Sequence, residues 1–144
     1  MSVEESIEQI KRFAGRWNDL YLHKEFKKME GLATENVGIA NAPDSDYPSG
    51  LIYGRDNYRK GIEDAYYGVG KDGQRLDENN ILEMDFKNWE YISLDDNTFY
   101  TIGKYTLTYH PEKTSGNVEE GVNCWLLQRE SADSQWRIFR VINN

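Results

Sequence analysis

The side chain best placed to do chemistry is an arginine among isoleucines near the end of the chain. Arg140 has Ile138 and Ile142 two residues to either side. Alternate residues of a strand share a face. The spacing therefore puts Trp136, Ile138, Arg140 and Ile142 together, with Arg137, Phe139, Val141 and Asn143 opposite. A guanidinium on a buried face needs an anion or dense hydrogen bonding. Two partners are open to Arg140: the acid group of a small ligand, or a carboxylate of a neighbouring strand such as Glu90. Tyr21 falls on the apolar stripe of a helix, so its hydroxyl either faces a pocket or is satisfied within the core. Asn123, with Trp125 on the same face, lines either a pocket or a seam between subunits. Trp17, Tyr53, Tyr58 and Tyr66 complete the candidate ligand-binding set. The chain has ten Tyr and four Trp. Each aromatic buries roughly 150–250 Å², so a few of them dominate a core, and tyrosines give it polar tips.

Other chemistries find little support. His23 and His110 lie at element ends beside polar residues and form no His, Cys or Asp cluster, so no zinc site is expected. Asp44-Ser-Asp46 is too short for a calcium loop and reads as turn chemistry. Cys124, the single cysteine, falls mid-strand and reads as a buried structural thiol. The glycines at 68, 70 and 73 lack a following helix pattern, so they form no phosphate cradle, and no cofactor is expected. A net charge of −8 argues against a nucleic-acid partner, which needs a basic face. It also disfavours an anionic membrane surface. No apolar run approaches a membrane span, and the acidic start lacks the pattern of a signal peptide, so the expected location is cytoplasmic.

The elements that position these residues follow from periodicity. Ser2 with Glu5 fits a capping box. Val3, Ile7, Ile10, Ala14, Trp17 and Tyr21 then recur at helical steps, widened by Phe13 and Leu20. A short second helix carries Phe26 and Met29 inward. Glu35 to Ala42 alternates as a strand, followed by a Pro-, Asp- and Ser-rich loop and a short strand over Leu51 to Tyr53. Asp56 is placed to cap a third helix bearing Tyr58, Ile62, Ala65 and Tyr66. Gly68 to Asn80 reads as a polar loop, placed to act as a lid. Leu82, Met84 and Phe86 then alternate, and Trp89 and Tyr91 continue one step out of phase. That slip predicts a bulge near Lys87 and Asn88 and a sharply bent strand. Asp95 to Asn97 is a hairpin turn, Phe99 to Tyr109 a strand, and Gly121 to Asn143 a terminal hairpin. One domain over residues 1–144 is expected, of the α+β class, with three N-terminal helices on one face of a bent, mostly antiparallel sheet. Curling the sheet over the long helix leaves a conical cavity. The terminal hairpin is apolar on both faces, and a second copy packed sheet to sheet is the simplest cover for the outer one, giving a homodimer.

This order resembles the nuclear-transport-factor-like superfamily, also called SnoaL-like. The matching stretches are Trp17-Asn-Asp-Leu-Tyr21, Phe26 to Met29 with Leu32-Ala-Thr-Glu-Asn-Val37, Gly54-Arg-Asp-Asn-Tyr58, and Leu127-Gln-Arg-Glu followed by Trp136-Arg-Ile-Phe-Arg-Val. The resemblance implies the cone fold and a small-molecule pocket, of the kind used by isomerases, dehydratases and cyclases acting on small cyclic or acidic metabolites. The same fold also serves as a non-catalytic dimeric association module with a filled cone. Catalytic relatives project acid–base residues into the cone. Here, beyond Glu35 at its start, the first strand offers Asn36 and Asn41, with Asp44 and Asp46 only in the following loop, so Tyr21 and Arg140 remain the catalytic candidates.

Overall fold

The computed structural model of the chain describes residues 2–41, 50–67, 81–109 and 118–143. The loops expected at 42–49, 68–80 and 110–117, with Asp44, Asp46 and His110, lie outside the described residues. The elements are α1 (Val3–Leu22), α2 (Phe26–Met29), a 3₁₀ turn (Glu30–Leu32), β1 (Ala33–Asn41), β2 (Gly50–Tyr53), α3 (Arg55–Tyr67), β3 (Ile81–Asp95), β4 (Thr98–Tyr109), β5 (Val118–Gln128) and β6 (Arg137–Asn143).

The Ser2 hydroxyl caps α1 by accepting the Glu5 N–H at 3.1 Å, a contact worth about 1 kcal/mol. The buried face of α1 carries Ile10, Phe13, Trp17, Leu20 and Tyr21, with Ser6. Val3, expected on that stripe, is exposed. The stripe is rotated toward Phe13 and Leu20 because Phe13 and Trp17 both pack on Trp125 of β5. Helix α1 closes with Lys24 at φ +60° and with Glu25 N–H donating to the Leu20 carbonyl at 2.9 Å, a Schellman closure made without glycine. Helix α3 begins at Arg55, one residue before the cap expected at Asp56; Gly54, at φ +104°, makes the turn into it.

The sheet order is β2-β1-β6-β5-β4-β3, with β1 and β6 parallel and all other pairs antiparallel. The bend in β3 falls where the phase slip places it: register shifts between Lys87 and Glu90. The bulge puts Phe86 and Trp89 against each other, with ring centroids 4.8 Å apart. Trp89 lies flat over Gly103 of β4, where a Cβ would overlap the indole. Only glycine allows that approach.

Cross-strand partners share a face, so the register sorts the sheet into two surfaces. Toward the helices point Phe99, Thr101, Asn123, Trp125, Leu127, Ile138 and Val141, all buried. On the outer face, one row crosses all six strands: Tyr53, Gly38, Arg140, Leu126, Tyr100 and Ile92. Beside it run Leu51, Ala40, Ile142, Cys124 and Ile102.

The terminal strand departs from the alternation expected of it. Leu126 pairs with Arg140 while the next residue, Leu127, pairs with Ile138. Phe139 is therefore an extra residue on β6, and such a bulge reverses facing beyond it. Ile138 faces the helices, but Arg140 and Ile142 face outward. Arg140 is not at the floor of the cone. Its guanidinium crosses Gly38, lies 5.4 Å from the Tyr53 ring, and donates to the carbonyls of Asn36 (3.2 Å) and Phe139 (2.6 Å). Neither partner expected for it, an acid ligand in the cone or Glu90, is what the fold provides.

The buried arginine of the hairpin is Arg129. It donates to the Asp96 carbonyl (2.9 Å), Gln9 Oε1 (3.1 Å) and Asn97 Oδ1 (3.2 Å), and lies 4.4 Å from the Trp136 ring. It thus ties the β3–β4 turn and α1 to the start of β6. Its place at the end of β5, beside a polar turn, disguises it in the sequence as a surface residue. The signal that marks it is the alternation Asn123, Trp125, Leu127, Arg129, which continues the inward face.

Candidate functional site

The interior between α1, α3 and the sheet brings together five of the seven expected ligand-binding residues: Trp17, Tyr21, Tyr58, Tyr66 and Asn123, all buried. Tyr53 and Arg140 pair with each other on the opposite face of the sheet.

Helical spacing builds the first wall. Trp17 and Tyr21 are one turn apart on α1 and stack at 5.0 Å. Tyr66, near the C-terminal end of α3, meets the edge of Tyr21 at 5.4 Å and Phe26 at 5.5 Å. Lys24 places its ammonium 5.6 Å from the Tyr66 ring. Helix α3 is held in place by Arg59, which bridges Glu30 (3.3 Å) and Glu63 (3.5 Å). A hydrogen bond from Lys27 is the main reason that Glu30 sits below the ordinary carboxylate range. The second wall is the sheet. Trp125 lies 5.4 Å from both Trp17 and Trp89.

Two polar groups stand out in this aromatic setting. Tyr58 accepts the indole N–H of Trp17 at 2.8 Å. Burial pushes its hydroxyl well above the ordinary tyrosine range, against a smaller downward pull from Trp17, so it stays protonated at any physiological pH. Its own proton has no acceptor among the described residues. Asn123 is the second. Its cross-strand partners are Gly103 of β4, with the Trp89 ring lying over it, and Asn143 of β6, and Trp125 lies beside it along the strand. Asn123 Oδ1 is buried and accepts no hydrogen bond from the described residues. Such an oxygen costs about 1–3 kcal/mol, so its retention calls for an explanation.

Acid–base groups are scarce here. Among the described residues the buried polar side chains are Ser6, Thr101, Asn123 and Arg129, with no carboxylate or imidazole. His23 is exposed at the end of α1, within 2.7 Å of the Asp19 carbonyl. Cys124 faces the outer side of the sheet, and burial pushes its thiol up, with a smaller opposing effect from a Tyr100 hydrogen bond. No cluster of three metal-ligating side chains occurs among the described residues. No described helix is long and apolar enough to cross a membrane.

No protein-family model and no curated protein sequence matches the chain. Solved structures do. Aln2 from a Streptomyces species superposes with a TM-score of 0.72 at 15% identity, covering 100% of this chain and 92% of that one. A scytalone dehydratase-like protein from Novosphingobium aromaticivorans gives 0.70 at 14% identity, covering 96% and 83%. An NTF2-like protein with a cystatin-like fold from the same organism gives 0.66 at 16% identity, covering 98% and 82%. The chain has the nuclear-transport-factor-like fold expected from its sequence, α+β with a mixed, mostly antiparallel sheet.

Proposed function

We propose that this chain is a small-molecule-binding domain whose interior takes a flat cyclic compound bearing a hydroxyl or carbonyl group. The observation that carries this reading is Asn123: a buried amide oxygen, among aromatic rings, with no donor among the described residues. A ligand hydroxyl supplies that donor, and the unspent proton of Tyr58 meets a ligand oxygen. Stacking on Trp17, Trp89 and Trp125 supplies affinity without demanding one ring type.

Among reaction types, the arrangement suits those that need a neutral donor more than a strong base, such as an isomerisation, dehydration or cyclisation. Tyr58, held protonated, polarises a carbonyl or an enolising oxygen. Tyr21, stacked beside Trp17, is the second hydroxyl of the set. The similarity to a scytalone dehydratase-like structure agrees with this class. A thermal-shift screen of hydroxylated and keto bicyclic compounds tests the reading. Hits that stabilise the wild type but not Asn123→Leu or Tyr58→Phe are expected. A broad panel that never raises the melting temperature would reject it.

A second reading, a non-catalytic association module, is favoured by the aromatic rings that pack the interior and by the outer face of the sheet. Leu51, Tyr53, Ile92, Val122 and Ile142 are all exposed there. An apolar surface of that kind is characteristic of an interface, and we assign it to a homodimer formed sheet to sheet. Dimerisation is compatible with a pocket. The two readings part on whether the interior holds a ligand.

A further inference from the structure

Outside the cone, a groove runs along the middle of α1. Arg12 and Arg16 are one helical turn apart and both exposed. They line this groove, of about 600 Å³, between α1 and the turn that precedes β6. Small-molecule sites occupy about 300–1,000 Å³.

Several of the described cations are already neutralised by carboxylates. Lys11, Lys27, Lys28, Arg59 and Lys104 each pair with a carboxylate within 4 Å. Arg12 and Arg16 have no such partner among the described residues. Like charges at this spacing repel. The groove floor is apolar, built from Phe13, Leu32 and the edge of Trp136. Gln9 adds a fixed donor. Its amide oxygen accepts from Trp136 Nε1 at 2.9 Å and from Arg129 at 3.1 Å, so its orientation is set and its NH₂ is left for another acceptor. Asp133 supplies the one carboxylate of the lining, and it disfavours a second negative charge on anything bound.

We propose that this groove binds an organic monoanion, a carboxylate carried on a flat apolar body. Arg12, Arg16 and the Gln9 amide receive the carboxylate, because a planar guanidinium matches it in bidentate fashion. The body lies against the exposed edges of Phe13 and Trp136. The site is separate from the interior one and does not depend on it.

Calorimetric titration of the protein with 2-naphthoate tests the assignment, with neutral 2-naphthamide as control. The variants are Arg12→Gln, Arg16→Gln, the pair together, and Asn123→Leu in the interior. Arginine and glutamine have similar helix propensities, and circular dichroism verifies folding; should the double variant fail to fold, each single variant still shows part of the loss. The expected result is naphthoate binding that weakens about tenfold in the double variant, weakens with salt, and is unchanged in Asn123→Leu. Naphthamide is expected to bind at least as weakly as naphthoate binds the double variant. Absence of naphthoate binding at millimolar concentration overturns the proposal, as does undiminished binding to the arginine variants. Loss of binding in Asn123→Leu alone overturns it too, since the acid then occupies the cone.

Discussion

Replacing the two arginines of the terminal hairpin one at a time separates a buried guanidinium from a surface one. Arg129→Met removes three charge-assisted hydrogen bonds of 2.9–3.2 Å, to the Asp96 carbonyl, Gln9 and Asn97. Hydrogen bonds to a charged group contribute about 1.5–3 kcal/mol each. Part is recovered because the guanidinium no longer has to be desolvated, and methionine keeps most of the packing on Trp136, so the net loss is about 3–4 kcal/mol. A chain of 144 residues has an unfolding entropy of about 0.3 kcal/mol per kelvin, so the melting temperature falls by about 10 °C. Arg140→Met removes a half-exposed guanidinium that reaches two carbonyls and the rim of Tyr53, at a cost of about 1 kcal/mol or less. Urea unfolding followed by tryptophan fluorescence measures both. A loss below about 1 kcal/mol for Arg129→Met, or a larger loss for Arg140→Met than for Arg129→Met, would refute the assignment of Phe139 as a bulge and of Arg129 as the clamp.

Further outcomes concern packing, pH and assembly. Gly103→Ala drives a methyl into the middle of the Trp89 indole and destabilises by about 2–3 kcal/mol; Gly121→Ala meets the hydroxyl, Cζ and Cε1 at the outer end of the Tyr105 ring, which swings aside more readily, and costs less, which paired urea titrations resolve. Stability declines above about pH 10, because the unfolded chain releases the Tyr58 proton near its ordinary value of 10.0 while the buried folded form keeps it; below that pH both states hold the proton and the contribution is intact. Melting curves from about pH 8 to 11 show a slope that is shallower in Tyr58→Phe. Light scattering at micromolar concentration finds a dimer for the wild type and a monomer for Ile142→Lys, whereas a monomeric wild type removes the homodimer from the account.

Much of the architecture was legible because it rests on local rules. The Ser2 cap, the helical stripe of α1 and the bulge at Lys87–Glu90 are each written as a pattern of period or phase. The β3 bulge was readable because the apolar phase itself slips there, from Phe86 to Trp89. The β6 bulge at Phe139 was not, because Ile138, Phe139, Val141 and Ile142 are apolar on either assignment and only Arg140 marks a face. Apolar neighbours at i±2 then pointed the wrong way. Tyr53 was misplaced for a related reason: a four-residue edge strand gives too short an alternation to fix its inner face. Trp17, Tyr21, Tyr58 and Tyr66 could be grouped because helices α1 and α3 carry them at turn spacing. The isolation of Asn123 Oδ1 depends on cross-strand register and on where Trp89 lies, neither of which a linear sequence displays.

The central claim is that the interior holds a ligand which hydrogen-bonds to Asn123. Its most direct test is the stability of Asn123→Leu without and with a ligand identified in the thermal-shift screen. The empty variant is expected to be at least as stable as the wild type, by up to about 1–2 kcal/mol, since a buried oxygen without a partner is replaced by a packed side chain. The ligand is expected no longer to raise its melting temperature. An empty variant that is markedly less stable, or one that the ligand stabilises as fully as the wild type, would contradict the claim.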